Sequence, residues 1–178
     1  METEDTASRV TTFPVHEAAG LFPLMSEEAY ADLLHDIRLH GQNDDVLVWN
    51  GYLLDGRNRL RACIELGIEP RWAELPKSID PVVWGLSHNL HRRHLTTAQR
   101  AMVADKLAKL LAGDNQYKNE VAGIQATSQV NAAKQLNVSR DSVQKARKVR
   151  AKASKRVIEA VESGALTLNA AVETTLKK

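Results

Sequence analysis

The chain has one cysteine, few aromatic rings and no long apolar run. Cys63 has no second cysteine to pair with, so an intrachain disulfide and a cysteine-based zinc site are both excluded. Flanked by Ala62, Ile64 and Leu66, it reads as a buried core residue. No apolar stretch approaches the ~20 residues that span a bilayer, and the acidic N-terminus is not a signal peptide. The chain is therefore expected to be cytoplasmic. Aromatic residues make up 4% of its 178 residues, and beyond residue 97 only Tyr117 remains.

The net charge of +2 is also small, but it conceals a division. Residues 1–97 carry nine Lys and Arg against fifteen Asp and Glu, a net of −6. Residues 98–178 carry fifteen against seven, a net of +8. An acidic front half that holds the aromatics and a basic, alanine-rich rear half imply two small domains with different partners. The basic half points to nucleic acid.

What is present begins with Leu53-Leu54-Asp55-Gly56-Arg57-Asn58-Arg59-Leu60-Arg61-Ala62. Apolar residues run into an Asp-Gly corner, and a basic helix follows until Gly67. A helix that opens after such a turn presents unpaired N–H groups and the positive end of its dipole, which suit an anion. Arg57, Arg59 and Arg61 lie within a turn of that opening, so a polyphosphate is the natural guest. An ordinary strand-to-helix corner with solvated arginines is the alternative, since a single glycine is a weak phosphate signal.

Around this stretch the pattern alternates strands and helices. Residues 1–12 are polar and expected to be disordered. Phe13-Pro14-Val15 suits a short strand. Ser26 caps a helix with Glu27 and Glu28 in its first turn, with Tyr30, Leu33, Leu34, Ile37 and Leu39 at helical spacing, and His40-Gly41 ends it. Val46–Trp49 and Tyr52–Leu54 flank Asn50-Gly51, a hairpin turn whose two central residues need positive φ. A strand follows over 70–75, and Asp80-Pro81 opens a helix carrying Val82, Val83, Trp84 and Leu86.

Two segments of this half resemble the boxes of the ParB/sulfiredoxin superfamily. Asp55–Ala62 resembles its Gly-Glu-Arg-Arg box, and His88-Asn89-Leu90-His91-Arg92-Arg93-His94-Leu95 resembles its Glu-Asn-x-x-Arg-x-x-Leu box, at about the family's separation. The resemblance implies a nucleotide-binding domain over residues 13–95. Its ligand would be a nucleoside triphosphate, CTP above all, with magnesium possible. The binding residues would be Gly56, Arg57, Asn58, Arg59, Arg61, His88, Asn89, Arg92 and Arg93. Arg57 stands where sulfiredoxins carry their reactive cysteine, so redox chemistry is not implied. Arg57 and His88 also stand where ParB proteins carry glutamates, and Asn58 replaces the next arginine. With both carboxylates lost, nothing obvious orients an attacking water, so at most a slow NTPase is expected and no catalytic residue is assigned. His88, His91 and His94 recur at a spacing that could hold a transition metal. Arg92 and Arg93 among them would repel a cation, and no metal site is assigned.

In the rear half, Thr96 or Thr97 caps a helix whose apolar face runs from Ala101 to Leu111 and which ends at Gly113. Residues 113–128 read as a long polar connection or short helix. Residues 129–149 then resemble the helix-turn-helix consensus. Ala133 is small where the helices cross, Asn137 takes the left-handed turn position, Val138 and Val143 pack the motif, and Ser139 caps the second helix. From Arg140 to Arg156 there are eight basic residues and one acid. The expected DNA-binding residues are Ser139, Arg140, Asp141, Ser142, Gln144, Lys145, Arg147 and Lys148. A helix, a stop at Gly164, a Thr167 cap and a final helix follow, similar to the hairpin of plasmid and phage ParB-like proteins. The chain stops soon afterwards, so the family's separate C-terminal dimerisation domain is expected to be absent.

The expected fold is α+β: a ParB/sulfiredoxin-like N-terminal domain followed by an all-α helix-turn-helix domain over 96–178. The resemblance implies a homodimeric protein that binds double-stranded DNA and a nucleotide, in plasmid or phage partition or in transcriptional regulation. The alternatives are a ParB-fold nuclease or NTPase, and a transcriptional regulator that binds no nucleotide.

Overall fold

A computed structural model of the chain describes residues 13–92, 95–113 and 129–176, and their side chains except at 90–92, 113 and 129–131. The expectations for residues 1–12 and 114–128 lie outside that range. The described residues are mixed α and β, with nine helices and a three-stranded sheet. They form two compact units. The front unit comprises residues 13–20 and 24–86, and the rear unit comprises 21–23 and 87 onward. The division falls after Leu86. One continuous helix, Pro81–Arg92, contributes its first turns to the front unit and its last turns to the rear.

In the front unit, α1 (Glu17–Gly20) and α2 (Glu27–His40) precede β1 (Val46–Trp49), β2 (Tyr52–Asp55), α3 (Arg57–Leu66), β3 (Trp72–Glu74) and the start of α4 (Pro81–Arg92). Local chemistry sets most of these bounds. The Ser26 hydroxyl accepts the Ala29 N–H at 3.3 Å, and Gly41 ends α2 at φ 76° with its N–H on the Ile37 carbonyl. Asn50 and Gly51 take φ 48° and 80°, which closes the β1–β2 hairpin with Trp49 opposite Tyr52. The Asp80 carboxylate accepts the Val82 and Val83 N–H groups and so opens α4.

The sheet order is β2-β1-β3, with β1 antiparallel to β2 and parallel to β3. Residues 13–15 do not form a strand of their own. They contribute a single parallel bridge, Val15 to Leu53. One core joins Val46, Leu53 and Leu60, with Phe13 and Trp72 against it. A second joins Tyr30 and Ile37 of α2 to Ala62 and Cys63 of α3. Leu39, expected on the apolar face, is 62% exposed.

His16 is buried beside the hairpin. Its Nδ1 accepts the Ala18 N–H at 3.1 Å, and its ring meets Trp49 and Tyr52 edge-on at 5.4 and 5.9 Å. Burial lowers its pKa below the ordinary 6.5, against the opposing carboxylates of Glu17 and Asp80. Between the two values the unfolded chain holds more protons, so acid favours unfolding. The front unit should therefore lose stability as pH falls below 6.5, and His16→Asn should flatten that loss. Urea midpoints followed by tryptophan fluorescence between pH 5 and 7.5 check this, and an unchanged pH slope in the variant would discount His16.

The rear unit is helical. α5 (Thr97–Gly113) is followed by α6 (Gln129–Gln135), α7 (Arg140–Lys152), α8 (Lys155–Glu162) and α9 (Leu168–Leu176). Thr96 and Gln99 form a reciprocal capping box at the start of α5, with bonds of 3.2 and 2.9 Å. The core joins Ala101 and Met102 of α5 to Ala146 and Val149 of α7, Val161 of α8, and Leu168 and Ala171 of α9. The alanines let helix backbones approach closely. Gly164 turns the chain at φ 86°, and Thr167 caps α9 through the Ala170 N–H.

Candidate nucleic-acid interface

The α6–turn–α7 segment follows from a few local choices. Ala132, Ala133 and Leu136 are buried. Asn137 takes φ 49°, and the Val138 N–H bonds the Ala133 carbonyl at 2.9 Å. Asn tolerates this left-handed geometry where most residues do not. Ser139 then caps α7 by accepting the Ser142 N–H at 3.1 Å. Val143, Ala146 and Val149 turn inward.

The opposite face carries half of the eight residues expected to meet DNA. Arg140, Gln144, Arg147 and Lys148 are exposed and have no side-chain partner among the described residues. The other four are engaged locally. Ser139 and Ser142 share a 2.9 Å hydroxyl bond within the cap, and Ser142 is half-buried rather than exposed. Lys145, also half-buried, pairs with Asp141 at 2.8 Å. Ser142 and Lys145 line a cavity of about 330 Å³, together with Thr97, Ala98, Thr167 and Asn169.

The first box lies at the β2–α3 corner of the front unit. Gly56 takes φ 91° and ψ 18° and caps α3 without a side chain. A Cβ there would lie 3.1 Å from the Val46 Cα and 3.2 Å from Arg59 Nη2. The positive φ and this close approach both favour glycine on account of the chain's own fold. Arg59 turns back into the fold, where Nη2 donates to the Asp45 carbonyl at 2.9 Å and to Asp55 Oδ2 at 3.0 Å. Its Nε is buried without a hydrogen-bond partner among the described residues. Arg61 lies 3.7 Å over the Tyr30 ring and 3.6 Å from Glu27. Asn58 is buried and Arg57 half-buried. Arg59 and Arg61 therefore already hold protein partners.

Tyr30 donates to Glu65 at 2.8 Å. Burial and that carboxylate raise its pKa to about 12, against the opposing cation of Arg61. In the second box, His88 is exposed and bonded to Ser87 at 3.0 Å, and Asn89 is half-buried. The side chains of His91, Arg92, Arg93 and His94 lie outside the described residues. The two boxes fall in different units.

The sequence reading missed two residues. Gln42 is 7% exposed, and both ends of its amide are engaged. Nε2 donates to the Asp44 and Arg71 carbonyls at 2.9 Å, and Oε1 accepts from the Arg71 N–H at 2.7 Å and from the Cys63 thiol at 3.4 Å. Burial raises the Cys63 pKa, so this thiol stays protonated. Asp105 is 1% exposed on α5, and its Oδ2 accepts from Arg150 Nη1 at 2.7 Å. A lone acid inside an apolar helix face was the available signal for Asp105. Nothing in the sequence marked Gln42.

Compared with known proteins, the chain matches no family model and no curated sequence. Among solved structures it is similar to the C-terminally truncated chromosome-partitioning protein ParB from Caulobacter crescentus, complexed to the centromeric parS site. That likeness has a TM-score of 0.36 at 16% identity, over 87% of this chain and 90% of that one.

Proposed function

We propose that this chain is a DNA-binding protein of ParB-like type, which grips duplex DNA with the outer face of α7. The observation that carries the reading is the split of that helix. Val143, Ala146 and Val149 face inward, while Arg140, Gln144, Arg147 and Lys148 face out behind a capped, left-handed turn. An α-helix fits the major groove, where Arg and Gln read base edges and Lys holds phosphate. Two copies on a two-fold operator would suit such a unit, in partition or in transcriptional control.

Arg140→Ala and Gln144→Ala should each weaken binding to a selected duplex by roughly 1–3 kcal/mol. Lys148→Ala should weaken selected and scrambled duplexes alike and reduce the salt slope by about 0.9. Fluorescence anisotropy at several salt concentrations measures both. Unchanged affinity in all three variants would make the motif structural only.

The second part of the reading is that the front unit takes a nucleoside triphosphate, CTP-type, at the α3 opening. Its support is the two sequence boxes and the N-terminus of α3 at Gly56. The internal partners of Arg59 and Arg61 favour a second reading, a DNA-binding regulator with no nucleotide. Calorimetric titration with CTP, ATP and GTP, with and without magnesium, separates the two.

A further inference from the structure

Asp105 is a buried carboxylate. Its Oδ1 is buried with no hydrogen-bond partner among the described residues, and Lys109 approaches Oδ2 only to 3.9 Å, from a position 54% exposed. Arg150 at 2.7 Å is its principal counter-ion. A buried acid persists only when a cation faces it, yet apolar replacement of such a pair is often neutral or stabilising. Stability therefore gives no account of why the pair is there. A charged hydrogen bond does supply direction, which apolar contact lacks.

Arg150 follows Val143 and Ala146 by seven and four residues, so it belongs to the inner stripe of α7. Arg140, Gln144, Arg147 and Lys148 lie on the other side of the same helix. With side-chain tips about 5 Å from the helix axis, a rotation of about 20° displaces them by ~2 Å. That exceeds the tolerance of a hydrogen bond to a base edge.

We propose that Asp105 is the positioning residue of the DNA-binding surface. Through Arg150 it fixes the rotation of α7, and Arg150 is held inward as its counter-ion and makes no contact with DNA phosphate. This rests on the DNA-binding reading above.

The test uses the full chain, a duplex selected by the wild type from a random pool, and a scrambled duplex of the same length. Binding is followed by anisotropy across a salt series, with thermal melting to confirm folding. Asp105→Leu combined with Arg150→Met removes the pair without changing net charge, and Asp105→Asn keeps the shape and weakens the bond. The ratio of selected to scrambled affinity should fall at least tenfold in each. The salt slope of the double variant on scrambled duplex should stay at the wild-type value, while Lys148→Ala lowers it and keeps the ratio.

A folded variant with an undiminished ratio overturns the positioning role. So does loss of folding in both variants, which would make the pair structural only. A slope that drops in the double variant as far as in Lys148→Ala places Arg150 on phosphate and overturns the second part. A wild type that enriches and binds no duplex instead overturns the DNA reading itself.

Discussion

Arg150→Ala is expected to destabilise the rear unit by about 3–5 kcal/mol, because it leaves the Asp105 carboxylate buried without its counter-ion. Lys109 lies 3.9 Å away and reaches in from an exposed position. The reciprocal change should cost less. With Asp105→Ala the guanidinium of Arg150, 23% exposed, can recover water, and the loss is that of a charged hydrogen bond, about 1.5–3 kcal/mol. The asymmetry identifies a buried acid served by a surface-reaching base. Hydrogen exchange of peptides covering 97–113 and 140–152 measures it. Equal protection in the two variants would mean that the carboxylate reaches solvent when Arg150 is gone.

Gly56→Ala should destabilise the front unit by roughly 2–5 kcal/mol. An L-residue in the left-handed region costs about 1–2 kcal/mol, and a methyl group 3.1 Å from the Val46 Cα adds an overpacking cost of about 1–3 kcal/mol. Gly67→Ala is the matched control. Its φ is also positive, at 66°, but nothing lies within 4 Å of the added carbon, so only the conformational cost of about 1–2 kcal/mol applies. All three tryptophans, Trp49, Trp72 and Trp84, lie in the front unit, so urea unfolding followed by their fluorescence reports that unit. Equal losses in the two variants would show that β1 yields to the methyl group. Gly56 variants bear on nucleotide binding only where this fluorescence shows the unit folded.

The elements legible in the sequence were those whose cause lies within about four residues. Ser26, Asp80, Ser139, Thr167 and one of Thr96 and Thr97 were expected to cap helices; Thr96 is the one that does, and each cap accepts an N–H two or three residues on. Asn50-Gly51 and Asn137 were expected to take left-handed turns, and they do. The outer face of α7 was largely legible for the same reason, since helical periodicity decides which side chains share a face. Ser142 and Lys145, expected to meet DNA, are half-buried, and the side chains around them come from α5 and α9, far along the chain.

The sequence by itself determined the hairpin, the capped helices, the α6–turn–α7 segment and the separation of acidic from basic halves. Each depends on backbone preference, on short-range hydrogen bonds or on composition, and none needs a distant partner. Only the tertiary structure decided what the polar side chains do. It sends Arg59 to the Asp45 carbonyl, Gln42 to the backbone of Arg71 and Arg150 to Asp105, across 14, 29 and 45 residues of chain. An arginine held inside the fold and one that faces a phosphate have the same local sequence signature. Which partner is reached is settled when the strands and helices pack, because a buried polar group must find its partner wherever the chain has placed one.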